Sequence, residues 1–317
     1  MNPLVSVICL CYNHERFVLE AIESVLNQTY SNIQLIVVDD YSEDGSIKII
    51  QQLVERNPQI TFLQLIKNSG NCAAFNQGLT LAKGQYIIDF ATDDVMISDR
   101  IENQVNYFSK FDHQYGVVFT NADYINSEGK KLRNHTKYLL AKGLIFKIPE
   151  GNIFRDVLSR YFICSPTMMI RKEVLDQMNG YDENLVYEDF DFWVRSSRNF
   201  KFAYLNEVTT KVRRTGNSMS SGWYEQGDKQ LHSTYLVCRK AIALCNDKED
   251  RQALLIRLRY EFKQAIFSGN KREAKLFGQL EKEIEAHHLQ FYIFSFLSQL
   301  PLPWQWIRKK YHQLFYG

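Results

Sequence analysis

The sequence lacks the glycine-rich phosphate loops that mark the commonest nucleotide-binding proteins. No GxGxxG pattern follows the first β-type run, and GxxxxGK[ST] occurs nowhere in the chain. Both absences disfavour a nucleotide-dependent oxidoreductase of the usual kind and a P-loop enzyme. If the chain binds a phosphorylated ligand, we expect a metal ion held by carboxylates to replace the glycine-rich cradle.

Cysteine motifs and charge imbalance are also missing. The six cysteines form no CxxC pair and no cluster with histidine at zinc-binding spacing, so we expect reduced thiols in a cytoplasmic protein. The 38 basic and 36 acidic residues leave a net charge of +2. That balance gives no reason to expect nucleic acid as a partner.

Apolar runs of membrane-spanning length are absent as well. No stretch reaches the roughly 18 apolar residues that a spanning helix needs, and residues 1–4 do not begin a basic region followed by an apolar one. We therefore expect neither a spanning helix nor a signal peptide. The cytoplasm is the expected location, and the inner face of the membrane is the alternative.

The chain does contain enough apolar sequence for a large folded protein. Hydrophobic residues make up 45% of its 317 residues and charged residues 23%. This length predicts one large domain with an appendage, or two domains. Four apolar β-type runs, at 5–10, 33–38, 60–66 and 85–90, alternate with amphipathic helical patterns. Such alternation is typical of a doubly wound parallel sheet.

Polar side chains follow three of these runs where each predicted strand ends. They are Tyr12, Asp40 and the adjacent pair Asp93 and Asp94. Because ligands bind outside the carboxyl ends of strands in such sheets, these residues predict a nucleotide site along one edge. The alternative for the pair is a solvated turn in which Asp94 or Ser98 caps the next helix.

An acidic and aromatic segment, YEDFDFW at residues 187–193, predicts the start of a later helix. Three carboxylates in a first turn have a structural explanation, because they favour the positive end of the helix dipole. A carboxylate near a diphosphate site could instead act as a general base. The residues alone leave both alternatives open.

The character of the chain changes after residue 221. Residues 225–286 are charged and helical in pattern, and residues 289–317 combine aromatic side chains with the basic cluster RKK at 308–310. The last stretch predicts either an interfacial helix in peripheral contact with a membrane, or a helix packed on its own domain or on a second copy in a homodimer.

The motifs of residues 4–220, taken in order, resemble the family 2 glycosyltransferases, whose nucleotide-sugar-binding fold is called GT-A. The matching segments are VSVI (5–8) leading into Tyr12-Asn13, SVLNQTY (24–30), VVDDYSEDGS (37–46), NSG (68–70), NQG (76–78), AKGQYI (82–87), ATDD (91–94), DR (99–100), GYDE (180–183) and ED (188–189). Each motif is weak alone, but their shared order and spacing are specific.

The resemblance implies roles for the nucleotide-binding residues. Tyr12 matches the position that stacks on the base of a uridine-type nucleotide, and Asp40 the position that hydrogen-bonds it. Asn13 belongs to the same nucleotide-binding motif. A UDP-type sugar nucleotide is therefore the expected donor.

The resemblance also implies the metal ligands and the base. Asp94 matches the direct ligand of Mn²⁺ or Mg²⁺ in the DxD-type motif, and Asp93 the residue that orients the ribose or the metal waters. Asp189 matches the catalytic base. Ala91 stands where the family often has an acid, but spore-coat polysaccharide-type members share Thr-Asp-Asp.

The implied protein is an inverting transferase that moves a sugar to a glycan or lipid-linked acceptor. Its fold would be α/β GT-A, with a doubly wound, mixed and mostly parallel sheet. Residues 1–220 would form the catalytic domain, with a nucleotide-binding half at 1–110 and an acceptor half at 111–220. Residues 221–317 would form a helical extension.

Two departures from the family pattern motivate an alternative. Phe75 stands where the family commonly has Arg, and Thr215 where it often has His. Arg213 or Arg214 could supply the missing positive charge. The alternative is a non-catalytic nucleotide-binding or scaffold protein of the same fold.

Overall fold

The structure is a computed structural model that describes residues 2–215 and 224–285 and several single positions beyond them. Those positions are 292, 294, 296, 300, 304, 306–308 and 310. Most of the predicted segment at 289–317 therefore lies outside the described residues.

The first third of the chain forms the four predicted strands and the three helices between them. The elements are β1 (Val5–Cys11), α1 (Val18–Leu26), β2 (Ile33–Asp39), α2 (Ser46–Arg56), β3 (Thr61–Gln64), α3 (Asn71–Leu81) and β4 (Tyr86–Ala91). The strands pair in parallel in the order β3-β2-β1-β4. All of β1 is buried, which explains its continuous apolar sequence.

Helix α3 packs closely on this sheet because it carries a glycine. A Cβ atom added at Gly78 would come within 2.6 Å of Ile8 and 3.0 Å of Val38, both on buried strands. The glycine in the middle of a helix, which costs stability by itself, thus permits the close approach of α3 to β1 and β2.

The remaining strands extend the sheet on the far side of β4. The elements are β5 (Val95–Met96), α4 (Arg100–Phe108), β6 (Tyr115–Ile125), β7 (Lys131–Asn134), α5 (His135–Ala141), α6 (Phe154–Ser159), β8 (Met169–Arg171), α7 (Lys172–Met178), α8 (Asp189–Ser197) and β9 (Lys201–Arg213). The sheet runs β3-β2-β1-β4-β8-β6-β9-β5, with β7 paired to β6. It is mixed, since β8 is antiparallel to both β4 and β6, whereas β6 and β9 are parallel. The expected mixed, mostly parallel α/β class is confirmed.

This part of the chain contains a hairpin and two short helices. Strand β6 continues to Ile125 and pairs antiparallel with β7. The segment 134–165 contains α5 and α6. Strand β9 had no counterpart among the predicted elements. Its pairing with β6 and β5 is a tertiary effect, because both partners are distant in sequence.

The described residues belong to two compact units. The first comprises residues 1–153, 162–183 and 196–218 and contains the sheet. The second comprises residues 154–161, 184–195 and 219–317, and includes the helices α9 (Lys229–Leu244), α10 (Lys248–Phe267) and α11 (Lys271–Ile284). None of the helices in the described part of the chain is both long enough and apolar enough to cross a membrane.

Candidate functional site

The carboxyl ends of β1 and β2 lie side by side in the first unit. Cys11 is in register with Asp39, and the Asp40 amide donates to the Cys11 carbonyl at 2.8 Å. Tyr12 and Tyr41, which follow the two strands, are each 45% exposed. Two exposed aromatic rings at adjacent strand ends provide apolar faces on which a flat ligand can stack.

The backbone leaves both strands in an unusual conformation. Asn13 has a φ of 57° and Tyr41 a φ of 68°, both in the left-handed region. Such values are uncommon for residues other than glycine, and a bulky Tyr adopts them only where its surroundings hold it there. The two turns are therefore constrained by the residues around them.

Hydrogen bonds between the turns supply that constraint. The Ser42 hydroxyl accepts from the Asn13 amide at 2.9 Å, and the Asn13 side-chain oxygen accepts from the Glu43 amide at 2.8 Å. The buried Asp39 carboxylate accepts from the Ser42 amide at 2.9 Å. Asn13, predicted to be a nucleotide-binding residue, thus also ties the turn after β1 to the turn after β2.

Asp40 is buried and fixes the backbone of the two residues that precede α3. Its Oδ1 accepts from the Ser69 amide at 2.7 Å and its Oδ2 from the Gly70 amide at 2.9 Å. Burial raises the pKa of Asp40 above its usual range, and the two amide bonds oppose that rise. Each carboxylate oxygen has a second lone pair, so Asp40 retains the capacity to accept from a ligand.

The end of β4 is anchored to β1 through Thr92. The buried Thr92 hydroxyl donates to the Leu10 carbonyl at 3.0 Å and lies 2.8 Å from Nδ1 of His14. Because the hydroxyl has one hydrogen and the carbonyl accepts it, His14 Nδ1 is the donor to Thr92. The Thr of the Thr-Asp-Asp motif thus fixes both the strand end and the His14 ring.

Asp94 is buried and does not cap a helix. Its Oδ1 accepts from the backbone amide of Arg213 at 2.7 Å. Helix α4 begins after Asp99, so neither Asp94 nor Ser98 caps it, and the capping alternative is wrong. Burial, and then the charge of Asp93, raise the pKa of Asp94 well above its usual range.

Arg213, at the end of β9, holds the backbone of the acidic turn formed by Asp93 and Asp94. Its Nε donates to the Asp93 carbonyl at 2.8 Å, and its Nη1 to the carbonyls of Asn126 at 3.2 Å and Ser127 at 3.1 Å. Its Nη2 donates to Glu20 at 2.7 Å. Arg213 is only 3% exposed, so it is a structural residue of the site rather than a cation presented to a ligand.

Asp93 and Asp94 could supply part of the ligand set of a hard divalent ion. Among the described residues no cluster of three or more His, Cys, Asp or Glu side chains could hold a metal. Asp93 and Asp94 thus offer two carboxylates and no full cage. Mg²⁺ is commonly bound by one or two carboxylates together with substrate phosphates and waters, so the pair fits an ion that arrives with a diphosphate.

Phe75 proves to be a core residue. It is fully buried and stacks on Tyr181, with ring centroids 4.2 Å apart. Asn76 beside it accepts from the Tyr181 amide and donates to the Tyr181 carbonyl, both at 2.9 Å. Gly180 must be glycine here, because its φ is 74° and an added Cβ would lie 2.4 Å from Asn76 Oδ1. The NQG and GYDE motifs therefore join in space.

Asp189 lies in the second unit, in the first turn of α8, and is half-buried. Helix α9 holds the residues that precede it: the Val186 amide donates to Ser233 Oγ at 3.0 Å, and Tyr187 and Thr234 share a hydrogen bond of 2.6 Å between their hydroxyls. The segment carrying the predicted base is thereby fixed within its own unit.

Asp191, the third acid of this first turn, has a structural role. It is buried and forms ion pairs with Arg195 at 2.6 Å and with Lys240 of α9 at 2.8 Å. Paired charge explains its burial without a ligand. The sequence showed three equivalent acids, and only the fold separates Asp191 from Asp189.

Three residues at the carboxyl ends of β1 and β2 were not predicted as site residues from the sequence: His14, Ser42 and Tyr41. The first two act through hydrogen bonds between turns, which have no periodic signal. Tyr41 had a usable signal, since it directly follows Asp40 as an aromatic residue within the motif VVDDYSEDGS.

Comparison with known proteins gives consistent results. The family model described as glycosyl transferase family 2 matches residues 6–178. A protein of Bacillus subtilis named putative teichuronic acid biosynthesis glycosyltransferase TuaG is 29% identical over 240 residues, covering 75% of this chain and 88% of that protein.

Solved structures share the fold at low identity. The structure of S. aureus TarS 1–349 in complex with UDP-GlcNAc superposes with a TM-score of 0.72 and 18% identity, covering 93% of this chain and 88% of that one. The mannosyltransferase PcManGT from Pyrobaculum calidifontis, in complex with GDP-Man and Mn²⁺, gives a TM-score of 0.61 and 15% identity, covering 99% and 81%. The α/β fold described above is therefore the GT-A fold.

Proposed function

The chain belongs to glycosyl transferase family 2, and on that basis we propose that it transfers a sugar, with inversion, from a UDP-type donor to a glycan or lipid-linked acceptor. One observation carries the proposal: Tyr12, Asp40 and the Asp93–Asp94 pair follow three neighbouring strands of one sheet. That edge is where open α/β sheets bind nucleotides.

The ends of β1 and β2 would hold the nucleoside. Tyr12 exposes its ring for stacking on the base, and Asp40 keeps acceptor capacity for a base N–H group. Asn13 holds the turn that presents Tyr12. The fold shared with TarS, solved with UDP-GlcNAc, supports a nucleotide-sugar donor of this type.

The end of β4 would hold the diphosphate through a metal ion. Asp94 would be the direct ligand, through the oxygen that the Arg213 amide leaves open, and Asp93 would orient the ribose or the metal waters. Mn²⁺ or Mg²⁺ bound there would neutralise the charge of the departing nucleoside diphosphate. PcManGT, which shares the fold, was solved with Mn²⁺.

Asp189 would act as the general base. It would accept the proton of an acceptor hydroxyl while that oxygen bonds to the anomeric carbon and the bond to the diphosphate breaks. A single displacement of this kind inverts the configuration. Its support is its place in the ED motif and its half-buried position at the start of α8.

The decisive experiment compares Asp94→Asn and Asp189→Asn, with Asp176→Asn as a matched control. Among the residues that the structure describes, the Asp176 side chain makes only a surface ion pair with Lys172, at 2.6 Å. Calorimetric titration with UDP in the presence of Mn²⁺ should show binding lost in Asp94→Asn and retained in the other two. A screen of nucleotide sugars should show metal-dependent turnover lost in both site variants. Full activity in both would contradict the proposal.

A non-catalytic scaffold of the same fold remains the alternative outcome of that titration. One of its two motivations was the missing cation at Phe75, and this side chain lies in the core against Tyr181. The structure thus gives a packing reason for that departure. Absence of metal-dependent binding of any nucleoside diphosphate to the unaltered protein would favour the scaffold.

A further inference from the structure

One segment of the first unit has an excess of positive charge. Residues 128–150 contain six basic and two acidic side chains, a net charge of +4 in a chain whose total is +2. The segment comprises the tip of the β6–β7 hairpin, β7, α5 and the chain that follows α5. This segment is therefore basic in a chain that is nearly neutral overall.

All six basic side chains of this region are exposed. They are Lys130, Lys131, Arg133, Lys137, Lys142 and Lys147. Only Lys131 has an acidic partner, Asp123 at 2.5 Å; the other five form no ion pair with any residue that the structure describes. Their charge is therefore available to an external anionic partner.

Large apolar side chains are exposed among these cations. Phe146 is 100% exposed, Leu132 56%, Leu140 41% and Leu144 36%. On α5, Lys137 and Leu140 are three residues apart and share one side of the helix, whereas Leu139 and Thr136 are buried. The Leu144 amide donates to the Leu139 carbonyl at 3.0 Å, which keeps Leu144 beside the last turn of the helix.

Exposed aromatic and leucine side chains interleaved with lysines have a specific partner chemistry. An anionic lipid surface attracts the cations and takes up the apolar side chains at the boundary between headgroups and acyl chains. A soluble polyanion would satisfy the lysines but would leave Phe146 in water. We propose that the basic–apolar surface formed by residues 130–147 docks this protein on a membrane that contains anionic lipids.

The proposal places membrane contact in the sheet-containing unit. Sequence analysis had offered such contact for residues 289–317, as one of two alternatives. The proposal does not depend on the donor, the acceptor or the metal.

The test is co-sedimentation of the full chain with vesicles of phosphatidylcholine alone or mixed with phosphatidylglycerol. The unaltered protein should bind the mixed vesicles, and binding should weaken as salt increases. The triple variant Lys137→Glu/Lys142→Glu/Lys147→Glu should bind on the order of a hundredfold more weakly, since each cation near such a surface contributes about fivefold. Phe146→Ser should weaken binding by about tenfold.

The matched control is Lys271→Glu/Arg272→Glu/Lys275→Glu, which changes the net charge equally at three exposed positions of α11. It should bind the mixed vesicles as the unaltered protein does. Circular dichroism should be the same for all variants. Failure of the unaltered protein to bind, or equal loss in the control, would overturn the proposal. Retained binding in the triple variant would also overturn the proposal, because the membrane contact would then lie elsewhere on the protein. Loss in the triple variant without any effect of Phe146→Ser would also overturn it, in favour of a soluble polyanion.

Discussion

Replacing Arg213 with methionine should lower the free energy of unfolding by about 3–5 kcal/mol and disorder the acidic turn. Methionine keeps an unbranched stem for packing on Phe17, over which the guanidinium lies at 4.5 Å. The substitution removes the guanidinium donors to the carbonyls of Asp93, Asn126 and Ser127. It leaves the Arg213 amide, and therefore its bond to Asp94, in place.

The magnitude comes from the carbonyl contacts and hardly from the ion pair. The Glu20 side chain is 60% exposed, and an ion pair with one partner in water contributes about 1 kcal/mol or less. A bond from a charged donor to a carbonyl contributes about 1.5–3 kcal/mol. Arg213 makes three, but Asp93, Asn126 and Ser127 are all half-buried, so water recovers part of the loss at each carbonyl. The net loss is therefore about 3–5 kcal/mol rather than the full sum of three such bonds.

Urea denaturation of the metal-free protein measures the change, with two variants for comparison. Glu20→Gln removes only the ion pair and should cost about 1 kcal/mol or less. Arg213→Lys keeps the charge but not the fork of donors, so its cost should lie between the other two. Titration with UDP and Mn²⁺ should show weaker binding in Arg213→Met and unchanged binding in Glu20→Gln.

Two outcomes would refute this account of Arg213. If Glu20→Gln destabilised the protein as much as Arg213→Met, the ion pair and not the carbonyl contacts would be the stabilising interaction. If Arg213→Met cost less than about 1 kcal/mol, water would satisfy all three carbonyls and the turn would not need the guanidinium.

Thr234→Val removes the hydroxyl partner of Tyr187. We expect turnover to fall severalfold while the affinity for UDP and Mn²⁺ stays unchanged. An equal loss of turnover and affinity would contradict a role of Thr234 in placing Asp189. Burial lowers the pKa of His135, so the unfolded chain binds a proton first as the pH falls, and stability should decline below about pH 6.5. His135→Gln should flatten that decline in thermal melts at several pH values; an unchanged slope would contradict it.

The residues at the carboxyl ends of the parallel strands could be predicted because the sequence patterns that mark those ends are local. A parallel strand buried on both faces needs a continuous apolar run, and β1, β2 and β4 each show one that ends in polar residues. Parallel strands bring their carboxyl ends to the same edge. The positions of Tyr12, Asp40 and Asp94 thus followed from the pattern, while their proposed roles came from the resemblance.

The tertiary interactions that hold these strand ends in place have no local sequence pattern. Phe75 suggested a missing cation until its ring was found against Tyr181. Arg213 suggested a ligand for phosphate until its donors were found on the backbone of the acidic turn. Both contacts join residues more than a hundred positions apart, and one side chain gives no indication of its distant partner.

The amino-acid sequence by itself determined the α/β class, the strand and helix repeats and the residues at the strand ends, because periodic burial and motif order are properties of short segments. Only the tertiary structure decided which charges are structural. Asp94 and Asp191 are both buried acids, yet one faces a backbone amide and the other two cations. That difference depends on which side chains the fold brings within hydrogen-bonding distance, because the cost of burying a charge is set by its neighbours in space.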